Sequence, residues 1–135
     1  MATNANLIYP ELSYKLMGIL FKVHSKLGSS YQEKYYQRAI EQEFKIQNIK
    51  FQREIMVNVE YADIEVGKHF LDFVVENRIV LETKTDLKIT PDYIGQVISY
   101  LKSSRLPLGI IANFRTPRLT YRRIINPEID SLVLV

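Results

Sequence analysis

The stretch that decides the fold runs from His69 to Asp86, "HFLDFVVENRIVLETKTD". It reads as two β-strands joined by a tight turn at Glu76-Asn77-Arg78, because β-branched and aromatic residues fill the arms. Asp72, Glu82 and Lys84 interrupt the apolar pattern. Strand side chains alternate between faces, so Glu82 and Lys84 share one face and Thr83 takes the other. A short turn makes the strands antiparallel neighbours, which can bring Asp72 beside Glu82. Two carboxylates at one point repel unless a cation joins them, and hard oxygen ligands suit Mg²⁺ or Mn²⁺. The competing reading is a solvated sheet face carrying the same three charges. The flanks "FLDFVV" and "RIVLE" are dense in apolar residues and set the charges close to the core. An unpartnered charge is costly there, which favours a site.

A second Glu-x-Lys triplet occurs at Glu43-Phe44-Lys45. It falls on a helical segment, where residues two apart point to nearly opposite sides and cannot converge on an ion.

Upstream, Pro10 suits the first turn of a helix. Leu12, Leu16, Ile19, Leu20, Val23 and Leu27 follow at helical spacing, and Gly28 is a natural stop. A second helix spans about Tyr31 to Ile46, with Tyr36, Ala39, Ile40 and Phe44 as its apolar stripe. "REIMVNVEY" then alternates as a half-buried strand, and a turn near Gly67 leads to a strand over 68–75. Downstream of the strand at 79–84, "ITPDYIGQVISYLKSS" is a helix opening at Thr90-Pro91. "LGIIANF" is a short strand buried on both faces, and the tail "SLVLV" is a candidate last strand. The order α-α-β-β-β-α-β describes an α/β (α+β) mixed sheet flanked by helices.

The chain has 135 residues, 47% hydrophobic and 24% charged, which are values for one globular domain spanning 1–135. It holds no cysteine, which excludes disulfides and thiolate zinc sites. The N-terminal segment lacks a basic stretch followed by an apolar run, so no signal peptide is expected there, and no apolar run approaches the ~20 residues of a membrane span. The expectation is a soluble cytoplasmic protein. The net charge of +3 is mild. Between Lys102 and Arg123, however, stand Lys102, Arg105, Arg115, Arg118, Arg122 and Arg123 with no acidic residue among them. Such a segment can neutralise phosphates or form a solvated basic surface.

Asp72 followed by Glu82-Thr83-Lys84 on the next strand resembles the PD-(D/E)xK nuclease signature. The lead-in "LGSSYQEKYYQRAI" resembles the small proteins named after their GxxExxY motif, with Leu27, Gly28, Glu33 and Tyr36 as the matching residues. Gln96 on the third helix and "LGIIANF" follow in that family's order. The resemblance covers roughly Leu12 to Arg123. Ser30 replaces the first glycine of GxxExxY, and Leu71 stands where the superfamily often has proline.

The resemblance implies a restriction-endonuclease-like core and a metal-dependent nuclease acting on nucleic acid, DNA before RNA. It implies Asp72, Glu82 and the Thr83 carbonyl as ligands of Mg²⁺ or Mn²⁺, with Lys84 catalytic. Glu33 would reach the site from its helix. Its bland reading is a carboxylate favoured by the helix dipole in a first turn. Gln96 and Tyr100, one turn apart, resemble the QxxxY pair of RecB-like nucleases, or form a plain helix-surface pair. Arg115, Arg118, Arg122 and Arg123 are the candidate nucleic-acid contacts. His24, in an apolar helix, reads as structural. His69 lies three residues before Asp72, so strict alternation sets it on the opposite face and outside the site. With no separate DNA-reading domain, targeting would need a partner or a homodimer. The rival function is a binding module of the same fold with little or no turnover.

Overall fold

The computed structural model describes residues 8–129. The elements are α1 (Pro10–Leu27), α2 (Glu33–Ile46), β1 (Phe51–Tyr61), β2 (Ile64–Val75), β3 (Ile79–Lys84), α3 (Pro91–Ser104), β4 (Leu108–Asn113) and β5 (Thr120–Ile125). The five strands form one sheet in chain order. Only β3 and β4, joined through α3, run parallel; every other neighbour pair is antiparallel. The mixed sheet flanked by helices is as the sequence implies. The strand β5 was not expected, because it lies inside the basic segment. The candidate strand in "SLVLV" lies outside the described residues.

Alternation along the central strands builds a core on each face. Ile79 and Leu81 of β3 join Ile110 and Ala112 of β4 under α1 and α2, with Leu16, Leu20, Ile40 and Phe44. Val80 and Ile111 face the other way and pack with Val97 and Leu101 of α3. α3 lies so close to β4 that a Cβ on Gly109 would come within 2.6 Å of a Val97 methyl. Gly28 closes α1 at φ 78 and ψ −158, a backbone conformation open to glycine and costly for other residues, and its N–H donates to the His24 carbonyl. Thr90 caps α3, its hydroxyl accepting from the Tyr93 N–H. Among the described residues no helix is long and apolar enough to cross a membrane.

Two local details depart from the sequence reading. The β1–β2 turn is not at Gly67 but at Ala62 and Asp63, both at positive φ; Gly67 pairs with Val59 beside a register shift. The β1–β2 ladder also skips one position, where Glu54, at φ 53, faces Asp72. On one side of that break Arg53 lies over the Phe73 ring toward α2. On the other side Ile55, Val57 and Leu71 join the α3-side core. Side-chain alternation therefore does not run through Asp72.

Candidate active site

The site forms where β2 and β3 part. Their ladder consists of Phe73–Leu81, Val74–Val80 and Val75–Ile79. One step beyond, the backbone groups that would continue it bond to side chains instead. The Asp72 N–H donates to Glu82 Oε1 at 2.8 Å. The Thr83 N–H donates to Asp72 Oδ2 at 2.7 Å, and the Thr83 hydroxyl donates to the same oxygen at 2.9 Å. Each carboxylate thus stitches the opposite strand, and these bonds engage one oxygen of each.

Glu82 is 4% exposed. Burial first, and the neighbouring Asp72 charge second, push its carboxyl up to about 8; the Asp72 N–H and Lys84 pull the other way. Glu33 stands in the first turn of α2. Burial and then Asp72 raise its carboxyl to about 7, with Lys84 opposing. The Asp72 charge is thus close enough to disfavour the ionised forms of both glutamates. Perturbation of this kind, by burial plus a specific charge partner, clusters at functional sites.

Lys84 shares the α3 side of the sheet with Glu82, and its ammonium lies over the Tyr93 ring, 4.2 Å from the centroid. The Tyr93 hydroxyl donates to Asp86, which raises the phenol's own pKa. Buried Asn113 at the end of β4 accepts from the Asp86 N–H at 3.1 Å and donates to the Asp86 carbonyl at 2.8 Å. The segment leaving β3 is therefore fixed from both neighbouring elements.

Tyr36 explains the spacing around Glu33. Its hydroxyl donates to the Gly28 carbonyl and accepts from the Tyr31 N–H at 3.3 Å, while its ring stacks on Phe114 at 4.5 Å. This locks the turn between α1 and α2, and with it the helix start that carries Glu33.

The remaining sequence candidates divide. Tyr100 is buried on the α3 side against His69, their rings 5.1 Å apart, while Gln96 is exposed. His69 is not separated from the site as alternation implied: burial lowers its pKa, and both Lys84 and Asp72 act on it electrostatically. Arg115 lines a polar cavity with Ser29, Ser30, Tyr31, Gln32 and Thr85, beside the start of α2. Arg118 is exposed on the loop before β5. Arg122 and Arg123 do not share a face. Arg122 pairs with Ile111 of the α3-side core, and Arg123 pairs with Ile110 of the α1–α2 side. His24 is structural as expected, its Nε2 2.9 Å from the Thr116 carbonyl oxygen. The sequence reading missed Gln37, Arg53, Asp86 and Asn113, all of which bond to site residues or to their immediate supports.

The model of the PD-(D/E)XK nuclease superfamily matches residues 10–124. The chain belongs to the PD-(D/E)XK nuclease superfamily. The superfamily's restriction-endonuclease-like fold is the architecture described above. No curated protein sequence matches the chain. The crystal structure of SSO0001 matches with a TM-score of 0.55 and 18% identity, over 93% of this chain and 64% of that one, a likeness of fold. This PD-(D/E)XK chain thus spans 64% of the length of that protein.

PD-(D/E)XK nucleases generally use divalent metals, and the donor set here can be tested against that. Among the described residues, no three His, Cys, Asp or Glu side chains group closely enough to hold an ion by themselves. Mg²⁺ does not require that: it keeps several waters and takes one or two carboxylates plus substrate oxygens. Asp72 and Glu82 supply two hard oxygen donors, and the raised carboxyl of Glu82, buried and beside the Asp72 charge, marks negative charge in want of a counter-charge. The residues fit such an ion.

Proposed function

We propose that this chain is a single-domain, Mg²⁺- or Mn²⁺-dependent nuclease of the GxxExxY type that hydrolyses phosphodiester bonds in DNA. The observation that carries the reading is the reciprocal pairing of Asp72 and Glu82 at the parting of β2 and β3. It gathers two carboxylates at a strand end, with Lys84 on the next outward position of the same face. Asp72, Glu82 and the Thr83 carbonyl would hold the ion. When bound, the ion supplies charge neutralisation at the phosphate and a water of lowered pKa.

Lys84 provides a mobile cation that can leave the Tyr93 ring to stabilise the charge developing on the phosphoryl oxygens. Glu33, with its carboxyl near 7, can hold a proton or release it close to neutral pH. Gln96, exposed on α3, would meet the substrate, and Tyr100 would support β2 through His69. Arg115 neutralises phosphates beside the start of α2 and Arg118 from the loop before β5, while Arg122 and Arg123 serve opposite faces of β5. The working context is cytoplasmic, with a homodimer or a protein partner supplying target choice.

The test is cleavage of plasmid and linear DNA by purified protein with Mg²⁺, Mn²⁺, Ca²⁺ or EDTA, beside calorimetric Mn²⁺ titration. Cleavage with Mg²⁺ or Mn²⁺ that EDTA stops supports the reading. Binding of Mn²⁺ and DNA without any cleavage would establish the binding module instead.

A further inference from the structure

A chain of hydrogen bonds joins the surface of α2 to the carboxylate site. Arg53 of β1 bonds Glu41 through Nη1 at 2.9 Å. Its Nη2 donates to Gln37 Oε1, also at 2.9 Å. Gln37 Nε2 donates to the Thr83 hydroxyl at 2.9 Å and to Glu33 Oε2 at 3.4 Å. The Thr83 hydroxyl donates onward to Asp72 Oδ2. The direction of every link is forced. Arginine can only donate, so the Gln37 oxygen must face it and the amide nitrogen must face the site. Thr83 therefore accepts from Gln37 and spends its single proton on Asp72.

We propose that Gln37 is a positioning residue of the carboxylate site. It converts the fixed fork of Arg53, which also lies over the Phe73 ring at 4.7 Å, into a fixed orientation of Asp72 and Glu33. The inference rests on the metal-dependent reading above. The reason for a glutamine is its polarity: like asparagine but one methylene longer, it is a neutral side chain that accepts at one end and donates twice at the other. Glutamate there would turn an acceptor toward Thr83, and methionine would end the chain. Bonds of this outer kind typically set about 10–100-fold in metal affinity or activity when removed.

The experiment compares wild type, Gln37→Met, Thr83→Val and the double variant. Mn²⁺ affinity is read by calorimetry, and kcat and KM on DNA are read separately. Exchange of the Gln37 side-chain amide protons is followed by NMR, with exposed Gln96 as the internal reference. Gln37→Met should weaken Mn²⁺ binding about 10–100-fold and lower kcat while KM holds. Thr83→Val cuts the same chain from the other side and serves if Gln37→Met fails to fold. The double variant should lose no more than the worse single one, because both break one pathway. Gln37 amide protons should exchange more slowly than those of Gln96 in wild type and lose that protection in Thr83→Val. Wild-type Mn²⁺ affinity in either single variant overturns the proposal, as does a rise in KM with kcat unchanged. Gln37 exchange as fast as that of Gln96 overturns it as well. A wild type that binds no Mn²⁺ while Gln37 stays protected sinks the nuclease reading and upholds the bridge, so the two failures are told apart.

Discussion

The chain carries two Glu-x-Lys triplets, and the fold treats them in opposite ways. Glu43-Phe44-Lys45 lies on α2. Its glutamate pairs with Lys22 at 2.9 Å, its lysine pairs with Glu41 at 3.2 Å, and Phe44 points into the core. Each charge there has its own partner near solvent, and the Lys22 hydrogen bond holds the Glu43 carboxyl below its ordinary pKa. Glu82-Thr83-Lys84 lies on β3. Its glutamate is buried beside another carboxylate and is pushed up to about 8. Helix period disperses the first triplet into two surface ion pairs and a core anchor; strand period gathers the second. The difference teaches that spacing acquires chemical meaning only through the period of the element that carries it.

The sharpest way to break this contrast is to remove each glutamate. Glu82→Ala should abolish Mn²⁺ binding and reduce cleavage by about 10²–10³-fold or more, the scale for losing one preorganised catalytic contact. Glu43→Ala should cleave like wild type and lose about 0.2–1 kcal/mol, the range for an ion pair at the surface. Plasmid cleavage, calorimetry and urea unfolding on both variants decide it. Cleavage surviving in Glu82→Ala would mean that the site lies elsewhere.

The lysines come next. Lys84→Ala should match Glu82→Ala in lost cleavage yet keep its Mn²⁺ affinity, because a charged lysine donates and cannot ligate a cation. Lys45→Ala should change neither. The same calorimetric titration reads both variants.

The middle residues sharpen the comparison in stability rather than activity. Phe44→Ala should cost about 3–5 kcal/mol, the range for an aromatic side chain lost from a core. Thr83→Val keeps nearly the same volume but removes a buried hydroxyl that Gln37 and Asp72 both use, so it should cost about 1–3 kcal/mol in stability and lower Mn²⁺ affinity besides. Denaturant midpoints beside ion titrations separate the two.

The last contrast is a pair of opposed pH slopes. Glu82 and Glu33 hold protons in the native state up to about 8 and about 7, against 4.5 for an unperturbed carboxyl. The native state therefore binds more protons than the unfolded one across that window. Stability of the ion-free protein should fall as pH rises from 4.5 toward 8, and saturating Mn²⁺ should flatten the fall. Glu43 has the opposite sign: its folded pKa is lowered, so its contribution is present above 4.5 and lost as pH falls below it. Melting temperatures of wild type, Glu82→Gln and Glu43→Gln from pH 4 to 9 test both slopes. A Glu82→Gln curve parallel to wild type in the upper window would remove the linkage.

Much of this was legible in the sequence because local chemistry agreed with the fold. Pro10 and Gly28 bound α1, and the apolar run Ile79–Leu81 placed β3 with the Glu82 triplet at its end. What escaped the reading has physical causes. β5 buries only Ile124 fully, and its exposed Tyr121 and Arg122 make an edge strand read as a charged loop. The β1–β2 turn uses Ala62 and Asp63 at positive φ, while the glycine that signals such turns sits in the strand. His69 was misplaced because alternation breaks at Asp72, opposite a residue whose φ no sequence pattern announces. Gln37 and Arg53 come from different elements and meet only in three dimensions.

The exchange of bonds between Asp72 and Glu82 makes the acidic residues part of the sheet's hem as well as candidate ligands. Lys84 carries no such duty: its ammonium rests on an aromatic ring and stitches nothing. If the chain is a nuclease, the routes to a silent version of it are therefore unequal. Losing an acid also unpicks the place where two strands part, whereas losing the lysine leaves the cloth whole. A descendant that kept the fold for holding nucleic acid and abandoned cutting would shed Lys84 first and retain both acids.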